Sequence, residues 1–164
     1  TARFGSPIFM RVGMNTGRVV VGNMGSNQRF DYTFLGDAGN LAARLEGINK
    51  KFGTYFMISE ATRNRLGADF RGREISRITV VGRREAVRVF EPVTEEQGQS
   101  RAELFAEFDA ALRDYYAGRF GEAHRRFDAL KDRDPPSARY VARCEELILH
   151  PPRDWVGVWS MTEK

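Results

Sequence analysis

Apolar and polar positions alternate in short, sharply bounded runs over the first 92 residues. Residues 8–14 (IFMRVGM) and 18–22 (RVVVG) are apolar and β-rich, and they flank Asn15, Thr16 and Gly17, whose side chains favour a turn. The pattern predicts a hairpin. A polar, glycine-bearing loop is expected over residues 23–28, after which residues 30–35 lead into a helix with Asp37 near its start. There Ala38, Leu41, Ala42, Leu45 and Ile48 recur at helical spacing, predicting a helix with one buried face that runs to about Asn49. Residues 55–58 read as a short strand, and Ser59 is a candidate N-cap for a short helix carrying Leu66. Residues 74–81 and 85–90 surround Gly82, Arg83 and Arg84 as a second hairpin. Interleaved strands and helices of this kind make a compact α+β unit.

The pattern changes after Pro92. Residues 94–100 (TEEQGQS) are polar without apolar periodicity and read as a linker, and everything beyond is helical in period. Phe105, Phe108, Leu112 and Tyr115 mark one helix, Ala123, Phe127 and Leu130 a second, and Tyr140, Val141, Cys144 and Leu147 a third. The expected organisation is therefore an α+β segment over 1–93, a linker over 94–100 and an all-helical extension over 101–164. Gly118, Phe120, Ala123, Phe127 and Pro135 stand at a spacing that resembles one tetratricopeptide repeat. Several such repeats are needed to bury a continuous core, so the stripe is expected to serve helix packing. Trp155 and Trp159 follow Pro151 and Pro152, which predicts an extended or turned segment docking its rings on the helices or on a partner subunit.

Composition narrows the classes. The chain of 164 residues is 41% hydrophobic, enough for one domain with an appendage. Its longest apolar stretches, such as Val19 to Val21, are far shorter than a bilayer requires, so no membrane contact is expected. Cys144 is the single cysteine and His124 and His150 are the two histidines, which leaves no internal disulfide and no plausible zinc set. A reducing, cytoplasmic setting is expected. All 26 basic residues except Lys50, Lys51, Lys131 and Lys164 are arginine, and the net charge is +4. That modest positive field suits a polyphosphate or nucleic-acid ligand, although a solvated arginine-rich surface is the commoner cause. The mixed charges of the tail speak against a surface that tracks nucleic-acid phosphates. Because the chain starts at Thr1 with a strand close behind, it is expected to be part of a longer protein.

Candidate chemistry lies in residues 11–46 (RVGMNTGRVVVGNMGSNQRFDYTFLGDAGNLAARLE). Asn40 and Arg44, four apart, share a helical face away from Leu41 and Leu45. Taken alone, this is a solvated pair or an amide and guanidinium held ready for a ligand. The stretch as a whole resembles the second half of class III adenylyl and guanylyl cyclase catalytic domains, whose fold is ferredoxin-like. The matching motifs are Val12-Gly-Met-Asn-Thr-Gly17, Gly22-Asn-Met-Gly25, Asp31-Tyr-Thr33 and the helix start from Gly36 to Arg44, and together they are specific where each alone is weak. The resemblance covers about residues 8–92. It implies that Asn40 orients the substrate ribose and that Arg44 neutralises charge on the α-phosphate as the ribose 3′ oxygen attacks it. A planar, permanently charged fork suits that task. Thr33 falls where the family contacts the purine, and a hydroxyl there favours ATP.

The resemblance also implies Mg2+ or Mn2+ as cofactor, with aspartate ligands expected in strands upstream of this chain. Asp31 and Asp37 are not those ligands; Asp37 suits the helix N-terminus. A homodimer through the cyclase segment is implied as well. Two departures stand out. Val81 replaces a lysine that the family often uses on the terminal phosphates, leaving Arg83 or Arg84, which point to opposite faces of a hairpin, to reach them, with Arg83 taken as the candidate substrate contact, and Gly39 replaces a bulkier apolar residue. Three other readings compete with a cyclase. A catalytically incomplete regulatory or dimerisation module is favoured by Val81 and opposed by the retention of Asn40 and Arg44. A KH-type RNA-binding loop at residues 22–25 is opposed by the strand before it. A dinucleotide or P-loop site lacks its glycine pattern.

Overall fold

A computed structural model describes residues 8–26, 29–80 and 85–161. The elements are β1 (Val12–Met14), β2 (Val20–Ser26), β3 (Arg29–Leu35), α1 (Asp37–Phe52), β4 (Phe56–Ser59) and α2 (Glu60–Leu66), then a 3-10 turn at Gly67–Asp69. They continue with β5 (Gly72–Val80), β6 (Val87–Pro92), α3 (Glu95–Ser100), α4 (Ala102–Tyr116), α5 (Phe120–Asp128), α6 (Pro135–Leu149) and β7 (Trp159–Met161). A five-stranded sheet has the order β1-β4-β6-β5-β7, and β2 and β3 form a separate two-stranded ribbon. The fold is mixed α+β.

The first hairpin does not form as expected. β1 pairs in parallel with β4, from Val12 opposite Phe56 to Met14 opposite Ile58. β2 pairs instead with β3 over seven registers, from Val20 opposite Leu35 to Ser26 opposite Arg29. Residues 23–26, read as loop, therefore belong to a strand. The reason lies at Asn15, whose side-chain amide donates to the Ala38 carbonyl at 3.0 Å, so the turn-forming residues tie β1 to α1 instead of folding β1 onto β2. The second hairpin does form, with β5 and β6 antiparallel and Ile78 opposite Val87. Its tip, with Val81 and Arg83, lies outside the described residues.

α1 forms as its apolar stripe requires: Leu41, Leu45, Ile48 and Phe52 are buried, and Gly53 ends it in the left-handed conformation. Ser59 caps α2, its hydroxyl accepting from the Thr62 amide at 3.3 Å. The segment read as a linker contains α3. Thr94 accepts from the Gln97 amide while the Gln97 side chain accepts from the Thr94 amide, a reciprocal cap that holds a helix with no buried residue. Pro135 stands at the start of α6 rather than after a helix end, and Asp134 caps it.

Among the described residues one hydrophobic cluster links α1 and the five-stranded sheet to the tail. It joins Leu41, Leu45, Ile48, Phe52, Met57, Ile75, Ile78 and Val89 of the α/β part to Phe108, Tyr115, Phe127, Tyr140, Trp159 and Met161 of the tail. β7 lies parallel to β5, with Ile78 opposite Trp159, so the tryptophan segment is extended, as expected, and joins the sheet.

Candidate nucleotide site on α1

α1 presents two unlike faces. Leu41 is 2% exposed and Leu45 0%, whereas Asn40 is exposed and Arg44 half-buried on the other side. Neither Asn40 nor Arg44 forms a side-chain hydrogen bond or ion pair with another described residue. Many arginines of the described chain are engaged, including Arg73, Arg88, Arg101, Arg119, Arg126 and Arg133, and Arg44 shares its open guanidinium with Arg18, Arg65 and Arg153, so its place beside Asn40 is what sets it apart.

The helix bearing this pair is fixed against β1. Asn49, fully buried, donates to the Val12 carbonyl at 2.9 Å and to the Leu45 carbonyl at 3.1 Å, while its oxygen accepts from the Thr54 hydroxyl at 2.7 Å. A buried amide is tolerated only with its hydrogen bonds made, and here they join strand to helix. Asn15 holds the first turn through Ala38. Between these two ties Gly13 lies so close to α1 that a Cβ there would overlap the Ala42 carbonyl oxygen and the Glu46 nitrogen. Sequence reasoning saw Gly13 as part of a motif and Asn49 as a helix end. Their contact is long-range, and no local pattern announces it.

The ribbon meets α1 through Gly36, which adopts φ 155° and ψ 150°, a region open essentially to glycine. A Cβ at this point would lie 3.1 Å from the Arg18 carbonyl oxygen. Thr33, three residues before this turn, is exposed and pairs with Gly22. Phe34, its neighbour, occupies the space beside Gly39, with its Cζ 2.9 Å from where a Cβ would stand. The departure at Gly39 thus makes room for an aromatic ring that seats β3 on the first turn of α1. Thr33 takes the opposite side of the ribbon from Phe34, because successive strand residues alternate.

Of the four sequence-predicted residues, Asn40 and Arg44 share a face, Thr33 stands on the strand that feeds their helix, and Arg83 lies outside the described residues. Asp37 falls in the first turn of α1 but Gly36 holds the cap position, so its contribution there is its charge. Among the described residues no three His, Cys, Asp or Glu side chains converge as a metal cage. The residues on hand therefore do not fit a divalent cation.

The sequence profile of the Adenylate and Guanylate cyclase catalytic domain matches residues 2–91. The chain belongs to this cyclase family. The "Adenylate cyclase, terminal-differentiation specific" of Dictyostelium discoideum is 30% identical over 146 residues, covering 84% of this chain and 7% of that protein. That likeness continues past the family-matched segment into the helical tail. "Adenylate cyclase 1" of Rhizobium meliloti is 38% identical over 83 residues, covering 51% of this chain and 12% of that protein. The chain thus spans a small part of both relatives. Among solved structures, the adenylyl cyclase CyaB from P. aeruginosa aligns with a TM-score of 0.49 at 31% identity, covering 57% of this cyclase-family chain and 47% of that one.

Proposed function

We propose that this chain supplies the ribose- and phosphate-facing part of an adenylate cyclase site, one that converts ATP to 3′,5′-cyclic AMP and pyrophosphate in cyclic-nucleotide signalling. The observation that carries the reading is the pair Asn40 and Arg44, unpartnered among the described residues on the open face of a helix otherwise locked into the core. In the cyclisation the ribose 3′ oxygen forms a bond to the α-phosphorus, its proton is lost, and the bond to the β-phosphate oxygen breaks to release pyrophosphate. Asn40 orients the ribose by hydrogen bonding. Arg44 takes up charge that grows on the α-phosphate oxygens, and its donors do so without any change of protonation. Thr33 meets the adenine, and Arg83 is the candidate for the terminal phosphates in place of Val81. Mg2+ or Mn2+ is the cofactor expected with this chemistry, and it would supply Lewis-acid stabilisation of the phosphates from ligands upstream of this chain. Its ligands belong outside the residues described here.

A homodimer is part of the same reading. Val20 is 68% exposed and its cross-strand partner Leu35 60% on one side of the ribbon, while Val21 is 54% exposed, its partner Phe34 53% and Tyr32 78% on the other. Large apolar side chains left open on both sides of a ribbon suit a contact site. The likeness of the tail to a tetratricopeptide repeat is read as a packing motif, since Ala123 and Phe127 are fully buried. The test is turnover of ATP and GTP by the whole protein. Arg44→Ala and Asn40→Ala are each expected to lower kcat on the order of a hundredfold with a smaller change in KM. Equal loss of binding and turnover contradicts the assigned roles. A whole protein that makes no cyclic nucleotide leaves the regulatory or dimerisation module in its place.

A further inference from the structure

The helix that carries Asn40 and Arg44 ends against residues beyond the family-matched segment 2–91. Phe52, the last residue of α1, is 1% exposed, and its ring packs 6.0 Å from that of Tyr140 and 5.4 Å, edge-on, from that of Trp159. The next residue, Gly53, abuts the start of α6 so tightly that a Cβ would stand 2.6 Å from Cβ of Pro135. The C-terminal end of α1 therefore rests on α6 and β7.

α6 is in turn anchored to the sheet independently of α1. Arg73 of β5 grips Asp134, the cap of α6, through both carboxylate oxygens at 2.6 and 3.2 Å. Tyr140, fully buried, donates its hydroxyl to the Ile75 carbonyl at 2.9 Å, and the Ser76 hydroxyl lies at the same distance. This contact falls where the β5–β6 ladder slips between Glu74 and Ser76, a bulge that leaves a backbone group in need of a partner. The Tyr140 ring is stacked on Phe127 at 4.5 Å and lies edge-on to Phe108 and Tyr115. Tyr140 thus touches α1, α4, α5, β5 and β7 at once, with no freedom to move by itself.

We infer that Tyr140 is a positioning residue for the cyclase reaction: through Phe52 it fixes where α1 lies, and with it Arg44 and Asn40. This rests on the function proposed above. Phe52 follows Arg44 by about 12 Å of helix axis, at 1.5 Å per residue. A hydrogen-bonded helix moves as a rod over that length, so a shift at its end reaches the guanidinium. Displacements of about 1 Å at reacting groups cost up to about a hundredfold in rate. The tail is in this sense part of the catalytic machinery and not a detachable module.

The experiment compares Tyr140→Phe and Tyr140→Leu in the whole protein, assayed well below the melting temperature, with hydrogen exchange followed on the 164-residue chain. Tyr140→Phe keeps the ring and is expected to hold kcat within about twofold, whereas Tyr140→Leu lowers kcat about tenfold or more with KM for ATP little changed. In Tyr140→Leu the amides of residues 48–53 are expected to lose protection while those of β6 keep theirs. Should Tyr140→Leu fail to fold, Phe52→Met removes the same contact from the helix side and is expected to give the same pattern. Wild-type kcat in a folded variant overturns the inference, as does exchange that rises equally in β6 and α1. If the wild-type whole protein makes no cyclic nucleotide, the proposed function fails on its own, and unchanged protection of residues 48–53 in the variant then overturns the clamp.

Discussion

A single methyl group at Gly13 has nowhere to go, because the atoms it meets are backbone atoms of α1 rather than the ends of movable side chains. Gly13→Ala is therefore expected to push α1 off β1, at about 1–3 kcal/mol as measured by urea denaturation. The same displacement carries Arg44 away from its place, so turnover in the whole protein falls more steeply than stability does. Cys144 offers a contrasting residue. It is fully buried and burial pushes its thiol up to about 12, far above the range in which a thiolate reacts. Native protein is expected to resist alkylation by iodoacetamide at neutral pH, with labelling appearing only as denaturant unfolds the chain. Rapid modification of the native protein contradicts the buried placement.

Among elements, the sequence was most legible where a pattern stayed local. The stripe of α1, the hairpin of β5 and β6, the cap at Ser59 and the three tail helices were all readable, because each depends on residues within one or two turns of each other. What escaped were pairings decided at a distance. β2 could be seen as a strand, but its preference for β3 over β1 is set by seven matched registers and by the diversion of Asn15 to α1. The α3 segment escaped for the opposite reason: a helix with no apolar face has no periodicity to read, and only its Thr94 and Gln97 spacing gives it away. Of the site, Asn40 and Arg44 were legible as a face, while the buried Asn49 that steadies them was not.

The joint between β5 and α6 belongs to this scale too. The side chains of Arg73 and Asp134 are 3% and 0% exposed, and Glu91 and Arg101 flank the pair. Phe105 and Phe108 rings lie 4.8 and 4.4 Å from the Arg73 guanidinium. Removing Asp134 leaves Arg73 with Glu91 as its remaining carboxylate partner at 2.9 Å but breaks two buried charge-assisted hydrogen bonds, so Asp134→Ala is expected to destabilise the chain by about 1.5–3 kcal/mol in equilibrium denaturation. It also removes the acceptor for the Ser137 amide and hydroxyl. A cost under 1 kcal/mol indicates that water reaches Arg73.

At the scale of the whole molecule, the continuous cluster binds tail and sheet into one structure. β7 matters here out of proportion to its three residues, because it lies against β5, a nine-residue strand bearing Ile75, Ile78 and Val80. Its approach runs through residues 150–158, which are neither helix nor strand, with Arg153 exposed. One tryptic cut after Arg153 frees Trp155, whose indole caps the Tyr115 and Tyr116 carbonyls, and Trp159 with it. The stretch of β5 from Ile78 to Val80 then loses its strand partner and becomes an uncovered edge, a template on which another chain can build. The nicked protein is expected to run as larger species in size-exclusion chromatography while intact protein does not; unchanged elution after complete nicking refutes this. Residues 154–161 thus act as a guard against self-association, and their loss to a protease would turn a self-contained fold into a seed for aggregation.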